Sequence, residues 1–216
     1  MRRYDADVLS TQVFRDRVDR ARASMAEHGT DVLLVSVGHD LPYLTGYHAM
    51  PLERLTMLVV PCDGDATLLV PALEAPRVTE QPGVFDLVPW GETADPVALV
   101  AELAAGARSV AVGDQMWARF LVELLPLLPS AVYRRAVDVI GHLRMVKDQA
   151  EVDALAAAGA AVDRIAGELQ SGTIPLVGRT EAEVSADLSR RILAEGHQRV
   201  NFAIVAAGEN AASPHL

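Results

Sequence analysis

Residues 178–196 read GRTEAEVSADLSRRILAEG. The spacing predicts a helix with both ends written into it. Thr180 and Glu183 stand three apart, as a reciprocal capping pair requires, and Gly196 supplies the stop. Between them Val184, Leu188 and Ile192 recur every fourth residue and form an apolar stripe. Glu181, Glu183 and Asp187 crowd the first turns, where they are expected to offset the helix dipole and face water. A helix with one apolar stripe must bury it against something.

The neighbours on either side do not suffice. Upstream, LRMVKDQAEVDAL (143–155) opens a long helix in which Val152, Leu155, Val162, Ile165 and Leu169 share a face, ended by Gly172 and Pro175. Downstream, VNFAIVAAGENAASPHL (200–216) reads as a strand at 202–205 followed by a small polar loop. Two helices and one strand enclose no core, and a lone strand leaves its ladder groups unpaired. Residues after about 145 are therefore expected to be poorly ordered, or packed unlike the complete domain they would open, given how little core they can bury alone.

The preceding part has a different texture. Ser10 or Thr11 can cap a helix carrying Phe14, Val18, Ala21 and Met25, with Gly29 at its end. Residues 31–35, DVLLV, form a short apolar run typical of a buried strand. PYLTGY (42–47) follows as a turn or short helix. MLVVP and TLLVP flank Cys62-Asp63-Gly64-Asp65, a hairpin signal. Residues 85–90 are a further strand candidate. Asp95-Pro96 opens a helix running toward Gly106. SVAVG is a strand, 117–128 a helix between prolines, and 131–133 the last strand. Strands alternating with helices, plus one hairpin, predict an α/β domain with a mixed sheet and flanking helices over residues 1–140. The second region, 141–216, is a linker helix and the start of another domain.

Composition narrows the function classes. The net charge is −10, with 50% hydrophobic and 22% charged residues. That balance suits a globular domain and excludes a sequence-independent grip on nucleic acid or anionic lipid, which needs clustered Lys and Arg. Cys62 is the only cysteine, so no internal disulfide or Cys-based metal site can form. The first ten residues lack the apolar run of a signal peptide, and no stretch approaches the roughly 18 apolar residues of a membrane span. The expectation is a cytoplasmic protein.

From residue 143 to 215 the chain resembles, in order, the opening of the catalytic domain of the pita-bread metallopeptidases: Xaa-Pro dipeptidase (prolidase), aminopeptidase P and creatinase. Arg144, Lys147, Glu151 and Val152 match the linker and first helix. GRTEAEVSADL matches the second helix, FAIVAAG (202–208) the strand after it, and NAASPH (210–215) the loop that follows. The segment YLTGY (43–47) after the first strand resembles the creatinase/prolidase-type N-terminal domain. No single motif is specific; the ordered set is.

The resemblance implies a curved catalytic sheet cupping two divalent metals (Mn, Co or Zn), held by two Asp, one His and two Glu. A metal-bridging water or hydroxide attacks the scissile carbonyl. All five ligands lie beyond the matched loop in family members, so this chain alone is expected to carry no metal and to be inactive, its catalytic domain cut short. By the same resemblance His215 is the active-site histidine that hydrogen-bonds the scissile group. The family also implies a homodimer acting on proline-containing peptides. In creatinase-like dimers a loop of the first domain reaches the neighbouring subunit's site. His39, Tyr47, His48 and Arg54 lie on the corresponding stretch, and Arg54 can pair with a substrate carboxylate. A surface salt bridge is the competing role for Arg54, and solvated loop positions the competing role for His39 and His48. Trp90 and Trp117 are expected in the core, and Cys62 is given no role. Two other functions fit the motifs: creatinase-like amidine hydrolysis, and a non-catalytic pita-bread module that binds peptides or histones through its negative charge.

Overall fold

In the computed structural model, residues 10–213 are described. They fall into two compact units that divide between Val146 and Lys147.

The first unit is built on a six-stranded mixed sheet. In chain order its elements are α1 (Thr11–His28), β1 (Val32–Ser36), α2 (Asp40–Thr45), β2 (Met57–Pro61), β3 (Thr67–Pro71), β4 (Asp86–Trp90), α3 (Pro96–Leu103), β5 (Ser109–Val112), α4 (Ala118–Leu124), β6 (Val132–Arg135) and α5 (Val137–Met145). The strand order is β4-β3-β2-β1-β5-β6. β1 pairs antiparallel with β2 and parallel with β5, so both of its edges are bonded and it lies inside the sheet.

That position explains the unbroken apolar run of β1. Leu33 and Val35 point to one face, where Phe14, Val18 and Met25 of α1, Leu41 and Leu44 of α2, and Val139 and Ile140 of α5 cover them. Val32 and Leu34 point to the other, against Val97 and Val100 of α3 and Phe120 and Leu124 of α4. The result is helices on both faces of a sheet, the arrangement that buries a strand on two sides. Asp31 stitches the entry to β1. Its carboxylate accepts the backbone N–H groups of Arg108 (2.7 Å) and Ser109 (3.0 Å), and its carbonyl accepts from Cys62 N–H.

Local signals hold in several places. β2 and β3 form the expected hairpin, and Asp95 caps α3 by accepting from the N–H groups of Val97 and Ala98. Gly29 ends α1 in the left-handed region, although the Ser10 side chain makes no cap bond. Other expectations need correction. α4 stops at Leu124 instead of Leu128, because Pro126 has no N–H for a further helical bond. Trp117 is not a core residue: it is 42% exposed and stacks on Phe120 at 6.3 Å between centroids. Trp90 is buried and donates its indole N–H to Leu55 O at 2.9 Å. The sequence boundary at 140 falls inside α5, which packs with α1.

The second unit holds α6 (Gln149–Gln170) and α7 (Glu181–Ala194). The single long helix expected from residue 143 is broken at 146–148, where Asp148 adopts an extended backbone and forms a capping box with Glu151. α7 carries the expected Thr180–Glu183 box. The two helices pack together around Ala161, Ile165, Ile174 and Val184, with Arg164–Glu195 and Arg191–Glu168 ion pairs between them. The region after 145 is thus regular, contrary to the sequence-based expectation: two capping boxes and a shared ion-pair network support the helices over a small core. Residues 202–205 form no strand, since none of the strands described pairs with them; Phe202 and Ile204 are exposed. A short 3-10 turn, Gly208–Ala212, follows.

Candidate active site

Three of the expected site residues flank α2, His39 just before it and Tyr47 and His48 just after it. His39 is exposed, and its backbone N–H donates to Gln115 Oε1 at 2.8 Å. Gly38 makes this possible, because a Cβ there would collide with that same oxygen. Asp40 at the start of α2 pairs with Arg144 at 2.6 Å. Gly46 ends α2 with φ 74° and turns the chain inward, so that Tyr47 is buried in the core under α1 while His48 faces out. Burial pushes the Tyr47 phenol above its ordinary range, with Glu74 adding to the effect and Arg77 opposing it. Tyr47 is therefore held as a packing residue in this conformation.

Arg54 sits apart from these three. Its guanidinium binds the Glu92 carboxylate through two bonds of 2.6 and 3.0 Å, the fork geometry in which such pairs are strongest. The pair borders a groove of ≈ 460 Å³ also lined by Trp90, Asp95, Arg119 and Phe120. His39, Tyr47 and His48 do not line it. The salt-bridge role weighed for Arg54 is the one the structure displays.

His215 lies outside the described residues, but the segment leading to it is held in place. Ser185 Oγ donates to Ala203 O at 2.7 Å. One turn earlier on α7, the Glu181 carboxylate accepts Ala207 N–H at 2.5 Å on one oxygen and Asn210 Nδ2–H at 2.8 Å on the other. Within the 3-10 turn, Asn210 N–H donates back to Ala207 O. The acidic side of α7 is therefore not simply solvated. Asp187 is likewise engaged: burial pushes its carboxyl up, but bonds from Arg179 and Arg191 outweigh that and hold it below its usual range. The signal available in the sequence was the i, i+4 spacing of Glu181 and Ser185, which puts both on one helix face. Their partners could not be read from it.

Among the described residues no group of three or more His, Cys, Asp or Glu could hold a metal ion. These residues do not supply the donor set of a dinuclear centre, which takes several carboxylates and a histidine converging on one point. No described helix is long and apolar enough to cross a membrane.

Comparison with known proteins places these features in a family. Residues 17–146 match the Creatinase/Prolidase N-terminal domain. The chain is 38% identical over 221 aligned positions to a probable dipeptidase PepE of Mycobacterium tuberculosis, an alignment that covers 99% of this chain and 56% of the relative. The crystal structure of dipeptidase PepE from Mycobacterium ulcerans superposes with a TM-score of 0.85 at 40% identity, over 99% of this chain and 57% of that one. A prolidase from Thermococcus sibiricus superposes with a TM-score of 0.84 at 27% identity, over 94% and 56%. The chain thus spans about half the length of the relatives it matches. By the span of this match and the mixed sheet it covers, the chain belongs to the creatinase/prolidase N-terminal domain family.

Proposed function

We infer that this chain is the N-terminal portion of a dinuclear-metal peptidase that hydrolyses Xaa-Pro bonds as a dipeptidase or aminopeptidase. One observation carries the reading. The likeness to dipeptidase PepE does not stop at Val146, where the N-terminal domain match ends, but runs on through α6, α7 and the loop at 207–213. A shared N-terminal domain alone would not extend there. The family membership supports a metal-dependent hydrolase; Xaa-Pro specificity follows the prolidase likeness and the NAASPH loop.

In this reading the metals, Mn, Co or Zn, are held by residues that are not among those described, and they supply the activated water. The chain's own contribution is His215, which hydrogen-bonds the scissile group; the segment before it, 203–210, is tied to α7 by Ser185 and Glu181. Arg54, with the exposed His39 and His48, faces the neighbouring subunit's site in a cytoplasmic homodimer. A substrate carboxylate reaching Arg54 has to displace Glu92. Tyr47 supports that loop from the core. On this reading the 216 residues alone turn over no Xaa-Pro dipeptide, because the family resemblance puts the metal ligands outside the matched motifs.

The test is hydrolysis of an Xaa-Pro dipeptide with added Mn²⁺. It is run on the 216-residue chain and on a chimera that continues it with the remaining half of the mycobacterial dipeptidase. No turnover by the first and Xaa-Pro turnover by the second is the expected result. Metal-independent hydrolysis of an amidine substrate by the chimera would instead make it creatinase-like. Binding of a basic peptide without turnover would make it a binding module.

A further inference from the structure

We propose that Glu181 is a positioning residue that fixes residues 207–213, which open the NAASPH motif, through a paired bond to Ala207 and Asn210. The role in catalysis rests on the peptidase reading, since it acts through His215; the anchoring itself does not.

The geometry is specific. Glu181 and Ser185 stand one turn apart on α7 and hold opposite backbone groups of the same segment, the carbonyl of Ala203 and the N–H of Ala207. Residues 202–207 form no strand, so these side chains take over part of what a sheet ladder would supply. Each oxygen of the Glu181 carboxylate receives a different donor, so the two bonds form without sharing an acceptor atom. The Asn210 amide is the first side chain of the loop motif. Its tie to α7, together with its own N–H bond to Ala207 O, closes a ring of contacts around the turn at Gly208. Bonds to a charged acceptor are the stronger class, which suits the holding of an exposed loop.

Donor and acceptor counting gives a test that a generic surface acid would fail. Asn210→Asp sets two carboxylates face to face with no donor between them. Adding Glu181→Gln restores the match, because the glutamine oxygen accepts from Ala207 N–H while its Nε2–H donates to the carboxylate introduced in the loop. The measurement is amide hydrogen exchange of Ala207 in the 216-residue chain, with α7 amides as the internal control. Asn210→Asp should lower Ala207 protection about tenfold, and the double variant should return it to within about threefold of the parent. If Asn210→Asp also unprotects α7, Glu181→Ala replaces it and should lower Ala207 protection about tenfold with α7 unchanged. Unaltered protection in the single variants, or a double variant no better than Asn210→Asp, overturns the proposal. The readout needs no turnover, so a failed Xaa-Pro assay would leave it standing.

Discussion

Gly46→Ala should destabilise the first unit by two separable routes. Gly46 has φ 74°, and its N–H bonds Pro42 O at 2.9 Å, ending α2. An L-residue in the left-handed region costs about 1–2 kcal/mol. The new methyl also meets a neighbour: an ideal Cβ would lie 2.7 Å from Phe14 Cζ and 3.1 Å from Cε2. Phe14 is 3% exposed and sits among core residues, so it cannot swing away freely. Forcing a methyl into such packing costs about 1–3 kcal/mol. The expected total is about 2–5 kcal/mol. Both tryptophans lie in the first unit, so urea unfolding followed by tryptophan fluorescence reports on it. The routes separate in a Phe14→Leu background, which removes the ring. There Gly46→Ala should cost only the backbone share, about 1–2 kcal/mol. A cost below about 1 kcal/mol in the parent chain, or the same cost in both backgrounds, would refute the steric half of the reasoning.

Two further outcomes are expected. A double-mutant cycle on Arg54→Ala and Glu92→Ala should give a coupling of about 0.2–1 kcal/mol that fades at high salt, because the side chains remain 32% and 66% exposed; a value above about 2 kcal/mol would contradict that. The Glu183 carboxyl is held below its ordinary range, first by the Thr180 N–H and then by the Thr180 hydroxyl, with burial opposing and Arg179 assisting. A folded value below the unfolded one means that the cap stabilises α7 above the usual glutamate range and loses this as pH falls through the lowered value. Glu183→Gln should therefore cost helix stability at neutral pH and nothing in strong acid, as followed by circular dichroism; a penalty independent of pH would refute it.

What the sequence disclosed depended on how far apart the interacting groups lie. The Thr180–Glu183 capping box, the Asp95-Pro96 start and the Asp63-Gly64 hairpin are local agreements between a few residues, and they appear where the pattern put them. The helix at 117–128 was overextended because leucines continue the apolar pattern past a proline that cannot donate the next helical bond. The strand at 202–205 was inferred from its own residues, but a strand exists only with a partner, and none of the described strands lies beside it. Tyr47 and His48 are adjacent in sequence, and only the turn at Gly46 decides which one is buried. The partnership of Arg54 with Glu92 spans 38 residues and that of Glu181 with Asn210 spans 29, distances at which residue type gives no pairing information. For His215 the sequence resemblance is all there is, since it lies outside the described residues.

The central place of β1 also orders events in time. Its antiparallel partner begins after a connection closed by a Ser36–Thr56 bond across 20 residues, whereas the bond from Arg108 to Asp31 on the parallel side spans 77. Chain-closure entropy grows with the logarithm of that separation, which makes the second closure harder by about 1.2 kcal/mol, or several-fold in rate. The β1–β2–β3 meander should therefore assemble first and wait for β5. During that wait β1 has one open edge, where a register slip by one residue would exchange the apolar sets meant for the two helical layers. Asp31 meets the late strand with an acceptor for two successive N–H groups at its start. It thereby rewards one register over its neighbours at the step where mispairing is easiest.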